Sequence, residues 1–120
     1  MPTYFGFLDL QIMVESRLGA QWRWQRQFFI LKVGLGDQRM LLWCLSPTDT
    51  EAFGHALIDD IRRVQSINSM QGEPCIVIEH APDSNTSATQ SVTLRAKTSR
   101  NRDEWASCLK ALWGNTRSFT

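Results

Sequence analysis

The chain has no hydrophobic run long enough to cross a membrane. Its purely apolar runs are only a few residues long, whereas a transmembrane helix needs roughly 18–20. The first residues, Met1-Pro2-Thr3, lead directly into strand-like sequence and lack the basic stretch, apolar core and small-residue cleavage site of a secretory signal. We therefore expect a cytoplasmic protein, or a piece excised from one.

Motifs for catalysis, metal binding and nucleotide binding are also missing. The three cysteines, Cys44, Cys75 and Cys108, lie within apolar patterns and in no CxxC or other metal-binding spacing. Neither His55 nor His80 lies in a HExxH or Gly-x-Ser-x-Gly context. The one closely spaced pair of glycines sits in a turn that leads into no helix, which excludes a dinucleotide fingerprint. We expect no enzyme activity, no metal and no cofactor.

A large charge of one sign is absent too. Thirteen Lys and Arg against twelve Asp and Glu leave a net charge of +1, which does not direct a domain to nucleic acid. Hydrophobic residues make up 42% and charged residues 21% of the 120 residues, close to the average of soluble globular domains. This length and composition predict one compact domain over 1–120, with its core at about 4–114.

Alternation of apolar and polar residues runs through most of the chain and predicts strands. The first segment has leucine, isoleucine and valine at positions 8, 10, 12 and 14, with mixed residues between them. Residues 15–22 break the alternation around Gly19, which predicts a loop, and 24–33 resume it. Further strand patterns cover 40–45, 75–80 and 92–96.

Residues 55–67 are ambiguous, because β-branched residues recur at every third position, at 58, 61, 64 and 67. That spacing fits a helix, whereas Gly54 and the β-branched side chains favour strands. From the residues alone, two short strands bent at 59–60 are slightly favoured.

The final segment changes period and predicts an amphipathic helix. Ser99 or Asn101 can cap its start, and Gly114 is placed to end it. The apolar stripe of this helix consists of Trp105, Cys108, Leu109, Leu112 and Trp113. The predicted order is therefore about seven strands followed by one helix.

Six segments in this order resemble the pleckstrin homology (PH) family. They are Gly6-Phe7-Leu8, Trp24-Gln25-Arg26-Gln27-Phe28-Phe29-Ile30-Leu31, Leu41-Leu42-Trp43-Cys44, Gly54-His55-Ala56-Leu57-Ile58-Asp59, Leu94-Arg95-Ala96-Lys97-Thr98 and Glu104-Trp105. The resemblance implies a mainly β fold with one α-helix, a PH-like barrel of seven antiparallel strands in two orthogonal sheets capped by the C-terminal helix. It also implies strands over 55–67, and a structural core that includes Trp105, Leu109 and Leu112.

Members of this family that bind phosphoinositides use a lysine near the end of the first strand and a Lys/Arg-x-Arg motif in the second. At the matching positions this chain has Leu10, Gln25 and Gln27. Arg26 lies between the two glutamines and therefore faces the opposite side of a strand. Each basic residue near an anionic surface contributes only about 1 kcal/mol, so the resemblance implies no strong, specific phosphoinositide binding.

The first candidate site is the mouth of the barrel. Arg17 and Arg23 can approach an anion from the first loop, and Trp22 either packs against the rim of the sheet or inserts into a lipid interface. The candidate mouth residues are Arg17, Trp22, Arg23, Gln25 and Gln27. The neighbouring loops supply acidic residues, namely Asp49, Glu51 and Asp83.

The second candidate site is a basic outer face that could capture a phosphate or an acidic peptide. Its residues are Arg62, Arg63, Arg95 and Lys97.

The resemblance implies a non-catalytic targeting or adaptor module of a larger signalling or cytoskeletal protein, which binds a protein or peptide partner. Two surfaces could serve, namely the groove between the helix and the sheet edge and the mouth lined by 15–24, 46–53 and 81–90. The alternative is a peripheral membrane domain that binds phosphoinositides or anionic lipid weakly through Arg17, Trp22 and Arg23. A third reading is that the domain only packs against its host. Under any of these readings, we expect association with membrane or cytoskeleton to come through the host protein.

Overall fold

The structure, a computed structural model, describes residues 2–33, 39–45, 48, 54–81 and 88–117. It consists of seven strands followed by one helix, as the sequence predicts. The elements are β1 (Pro2–Ser16), β2 (Gly19–Val33), β3 (Arg39–Cys44), β4 (Gly54–Leu57), a 3₁₀ turn (Ile58–Asp60), β5 (Ile61–Asn68), β6 (Pro74–His80), β7 (Gln90–Arg95) and α1 (Ser99–Arg117).

The strands form one antiparallel sheet in the order β4-β3-β2-β1-β7-β6-β5. Strand β1 pairs with β2 along its whole length. It pairs with β7 only at Asp9 with Arg95 and at Leu10 with Leu94. The two sheets expected from the family are therefore the halves of one hydrogen-bonded sheet, joined at this short ladder.

The β1–β2 hairpin is longer than the sequence predicted, and the loop expected over 15–22 is wrong. Ser16 pairs with Gly19, so only Arg17 and Leu18 form the turn. Gly19 has a φ of 107°, which glycine adopts without steric cost. The Ser16 hydroxyl donates to the Gly19 carbonyl at 3.1 Å and accepts from the Leu18 N–H at 3.2 Å. The alternation fails here because both faces of the hairpin tip are exposed.

Residues 54–68 form two strands bent by the 3₁₀ turn at Ile58–Asp60, which confirms the favoured reading of this segment. The register shifts between Ile61 and Arg63, consistent with a β-bulge. Turn and bulge together bring Ile58, Ile61 and Val64 into the core. They explain why the apolar residues recur every third position in a segment that is not helical.

The core lies between the inner face of the sheet and α1. Trp105 is 1% exposed, and its ring contacts Tyr4 and Phe29 edge-on, with centroid distances of 4.6 and 6.5 Å. Leu109 is fully buried, and Leu112 packs against the core from its margin. The Tyr4 hydroxyl donates to Glu104 Oε2 at 3.0 Å, which ties β1 to the helix.

The ends of α1 differ from the sequence prediction. Thr98 Oγ1 accepts the Asn101 N–H at 3.0 Å, so Thr98 is the N-cap rather than Ser99 or Asn101. The helix continues through Gly114 and ends at Arg117, so Gly114 does not terminate it. The side chain of Trp113 lies outside the described part of the structure.

Gly54 pairs with Trp43 across the β3–β4 ladder. A Cβ placed on Gly54 would lie inside van der Waals contact of the Trp43 indole. The absence of a side chain at Gly54 is therefore what lets Trp43 pack across β4 and remain buried.

Candidate functional site

The inner face of β2 carries three of the candidate mouth residues. Gln27 is 0% exposed and lies opposite Leu8, and Gln25 is half-buried opposite Leu10. Gln27 Nε2 donates to Gln25 Oε1 at 2.6 Å, while Gln27 Oε1 is buried without a partner among the described residues. Arg23 lies on the same face, two residues further along, and is exposed. The two residues at the family's basic positions are thus uncharged and bonded to each other.

The other two mouth residues lie elsewhere on the hairpin. Arg17 is exposed in the turn, and Trp22, 62% exposed, lies on the outer face of the sheet opposite Met13. Successive residues of a strand point to opposite faces. The structure therefore separates Trp22 from Arg23 and brings it beside Met13.

The loops that would complete the mouth are only partly described. Asp49, Glu51 and Asp83 lie outside the described residues, as do most of 46–53 and all of 82–87.

The four residues of the basic outer face do not form a continuous stripe. On β5, Arg63 pairs with Glu79, whereas Arg95 of β7 pairs with Cys75. Cys75 and Glu79 are four residues apart on β6, about 13 Å at the rise of a strand. Arg62 and Arg63 are exposed on β5, and Lys97 is exposed just after β7.

Arg95 is held by carboxylates rather than being available to a ligand. Its Nη2 lies 2.9 Å from Asp9 Oδ2, and its Nη1 lies 2.6 Å from Glu73 Oε2. Its guanidinium also stacks over the Trp24 ring, 4.6 Å from the centroid. Burial lowers the pKa of Arg95, but the hydrogen bonds and charges of Asp9 and Glu73 more than offset this and raise it. Arg95 therefore stays charged and ties together β1, β7 and Glu73, the residue before β6.

We expect Arg95→Met to lower the free energy of unfolding by about 1–2 kcal/mol. The substitution leaves Asp9 and Glu73 unpaired, but both are partly exposed, so solvent screens the loss. Urea denaturation followed by circular dichroism measures the change. The matched control is Arg62→Met on the exposed edge strand, and losses of equal size in the two variants would show that the ion pairs contribute nothing.

The groove between α1 and the sheet edge is partly closed. Arg102 Nη1 donates to the Ile67 carbonyl at 2.8 Å, on the edge strand β5. An added strand would need the free carbonyls of this edge. The helix therefore already uses one of the groups that a bound peptide strand would require.

A further surface, of which the sequence analysis named only Arg95 and Lys97, is a cleft of about 300 Å³ on the outer face of β1 and β7. Phe7 is 42% exposed there, and the Arg26 guanidinium lies 4.7 Å from its ring centroid. The residues that line this outer cleft are Phe7, Leu8, Asp9, Arg26, Glu73, Pro74, Arg95, Ala96 and Lys97. The available signal was Phe7 itself, an aromatic residue on the face of β1 that points away from the core.

Cys44, Cys75 and His80 are buried, Cys108 is half-buried and His55 is exposed. Burial raises the pKa of the Cys75 and Cys108 thiols, so both are protonated at neutral pH. Burial lowers the pKa of His80. Within the described ranges no three His, Cys, Asp or Glu side chains gather in a metal-binding group.

No helix in the described part of the chain combines the length and apolar character that crossing a bilayer requires.

Comparison with known proteins found a matching family model and similar solved structures. A family model described as PH domain matches residues 6–112. The solution structure of the pleckstrin homology domain of human KIAA0053 protein is similar at TM-score 0.67, with 21% identity over 92% of this chain and 87% of that one. The crystal structure of the Slm1-PH domain in complex with inositol-4-phosphate is similar at TM-score 0.63, with 13% identity over 91% of this chain and 93% of that one. At such identities the two structures show a shared fold. No curated protein sequence matches the chain.

Proposed function

The chain belongs to the pleckstrin homology domain family, and from that premise we propose that it is a single non-catalytic domain that localises its host by binding a protein partner. PH domains are in general targeting modules that bind lipids or proteins, and they are generally non-catalytic.

The observation that carries the proposal is that the inner-face positions matching the family's basic residues hold uncharged side chains. Phosphate recognition depends on charge-assisted hydrogen bonds from Arg or Lys, and here the matching positions hold Leu10, Gln25 and Gln27. Gln27 is fully buried and donates to Gln25, so it is not free to reach a headgroup. Arg23 is the nearest cation on this face of β2, which leaves about 1 kcal/mol of attraction to an anionic surface.

The second candidate, peripheral attachment to lipid, is favoured by the tip of the hairpin. Leu18 is 91% exposed, and Met13 and Trp22 are exposed side by side on the outer face. Aromatic and apolar side chains of this kind partition into the headgroup region of a bilayer, and Arg17 in the turn would add a charge. The similar Slm1-PH domain was solved in complex with inositol-4-phosphate, which also favours the lipid candidate.

Liposome co-sedimentation separates the two candidates. We expect no specific pelleting of the chain with phosphoinositide-doped vesicles, relative to neutral ones, at physiological salt. Specific pelleting that is lost in Arg17→Ala with Arg23→Ala, and kept in the matched double variant Arg62→Ala with Arg63→Ala, would overturn the protein-partner proposal and establish lipid targeting. Pelleting that depends instead on Leu18 and Trp22 would place the lipid contact at the hairpin tip.

A further inference from the structure

The outer cleft opens where β7 leaves β1. The β1–β7 ladder stops at Asp9 with Arg95. The next N–H, that of Ala96, donates to the Pro74 carbonyl at 2.9 Å and so turns the chain toward β6. Phe7 and Leu8 therefore line the cleft across from Ala96 and Lys97 instead of continuing the ladder.

Two of the three cations in the outer cleft have no carboxylate partner within the described structure. Arg95 is paired with two carboxylates, Asp9 and Glu73, and this group carries a net charge of −1. Arg26 lies over the face of Phe7 rather than on an acid, and Lys97 is exposed at the opposite wall. The cleft thus holds an exposed aromatic ring together with two cations that have no carboxylate partner among the described residues.

We propose that the outer cleft binds an acidic peptide segment of a protein partner, with a carboxylate between Arg26 and Lys97 and an apolar side chain against Phe7. The inference rests on the proposed function, because it names the surface and the chemistry of the protein partner. Charge complementarity selects this occupant. Three cations less two carboxylates leave one positive charge in the cleft, which matches a single carboxylate. The carboxylates of Asp9 and Glu73 in the wall would repel a multiply charged inositol phosphate.

Phe7 provides the contact for the apolar side chain of the peptide. Its ring packs edge-on against Phe28 at a centroid distance of 5.2 Å, and Phe5 lies beside them, 65% exposed. An aromatic ring held by its neighbours loses little conformational entropy when a ligand packs on it. The apolar part of the ligand therefore has a preformed surface next to the two cations.

A titration followed by nuclear magnetic resonance tests the proposal. The ¹⁵N-labelled chain is titrated with the peptide Gly-Gly-Glu-Phe-Gly-Gly and with its uncharged counterpart Gly-Gly-Gln-Phe-Gly-Gly, both acetylated at the N-terminus and amidated at the C-terminus. We expect the acidic peptide to shift the Arg26 Nε–H signal and the amides of Phe7 and Lys97, and the uncharged peptide to leave them unchanged. The double variant Arg26→Ala with Lys97→Ala should weaken binding by about tenfold or more.

The matched control is Arg62→Ala with Arg63→Ala, which removes the same charge from two exposed residues of the edge strand. We expect it to change the affinity less than about twofold. Equal weakening in both variants would mean unspecific attraction and overturn the proposal. The absence of shifts, or shifts confined to the mouth, would also overturn it. A parallel titration with inositol trisphosphate would do the same if that ligand bound this cleft more tightly than the peptide.

The two proposals fail in distinguishable ways. If the peptide shifts signals on another surface and the chain does not pellet with lipid, the outer cleft is not the binding site. The proposal of a protein-binding module then still stands. Specific pelleting through Arg17 and Arg23, together with peptide shifts at the cleft, would overturn protein binding as the targeting mechanism and leave the cleft in place.

Discussion

Replacing Trp105 with alanine is expected to lower the free energy of unfolding by about 3–5 kcal/mol. The indole is 1% exposed and contacts Tyr4 and Phe29 edge-on, so its removal leaves a cavity between α1 and the sheet. A domain of this size has a total stability on the order of 5–15 kcal/mol. The variant is therefore expected to be partly unfolded under mild conditions, with α1 detached from the barrel.

Urea denaturation followed by far-ultraviolet circular dichroism measures this loss. Trp22→Ala is the matched control, since it removes the same side chain from a position that is 62% exposed. It is expected to cost less than about 1 kcal/mol. Trp105→Phe keeps the fold measurable if the alanine variant does not fold. Similar losses at the two tryptophans would contradict the role assigned to Trp105.

Substitution of Gly54 by alanine is expected to cost about 2–3 kcal/mol, a large effect for one methyl group. The added Cβ would overlap the Trp43 indole, which is buried. Gly6→Ala is the matched control. A Cβ at Gly6 would lie 3.7 Å from Cζ2 of Trp105, which is ordinary contact.

Thermal denaturation of the two alanine variants measures the difference, and a double-mutant cycle assigns its cause. In a Trp43→Leu background, Gly54→Ala should cost clearly less than in the natural chain, because the overlapping ring is gone. An unchanged cost in that background would show that the strain comes from the backbone of β4 rather than from Trp43.

The sequence predicted the fold wherever one face of an element is buried. Leu8 and Leu10 alternate with outward residues because one face of β1 lies on the core. Alternation did not predict the strands at the tip of the hairpin. Neither face is buried there, so nothing requires apolar and polar residues to alternate. The choice between helix and strand was ambiguous around Ile61, because the turn and the bulge change the spacing of the buried residues there.

The candidate site was harder to predict because its residues meet only in the folded chain. Arg95 reads in sequence as a surface cation, since the carboxylates that hold it are 86 and 22 residues away. The outer cleft likewise joins β1, β2, the start of β6 and the segment after β7. The positions of Gln25 and Gln27 could be predicted, whereas the hydrogen bond between them required the structure.

The short β1–β7 ladder has a consequence for the entropy of the chain. Asp9 and Arg95 are separated by 86 residues, and closing a loop of that length costs about 4 kcal/mol on the logarithmic scale of loop-closure entropy. The β1–β2 hairpin and the β5–β6–β7 meander are each made from neighbouring segments and bear no such cost. This entropic cost is offset by the two residue pairs of the ladder, by the Arg95 ion pairs and by the packing of α1 against both halves of the sheet. The short β1–β7 ladder therefore joins two locally ordered halves of the sheet into one cooperative domain.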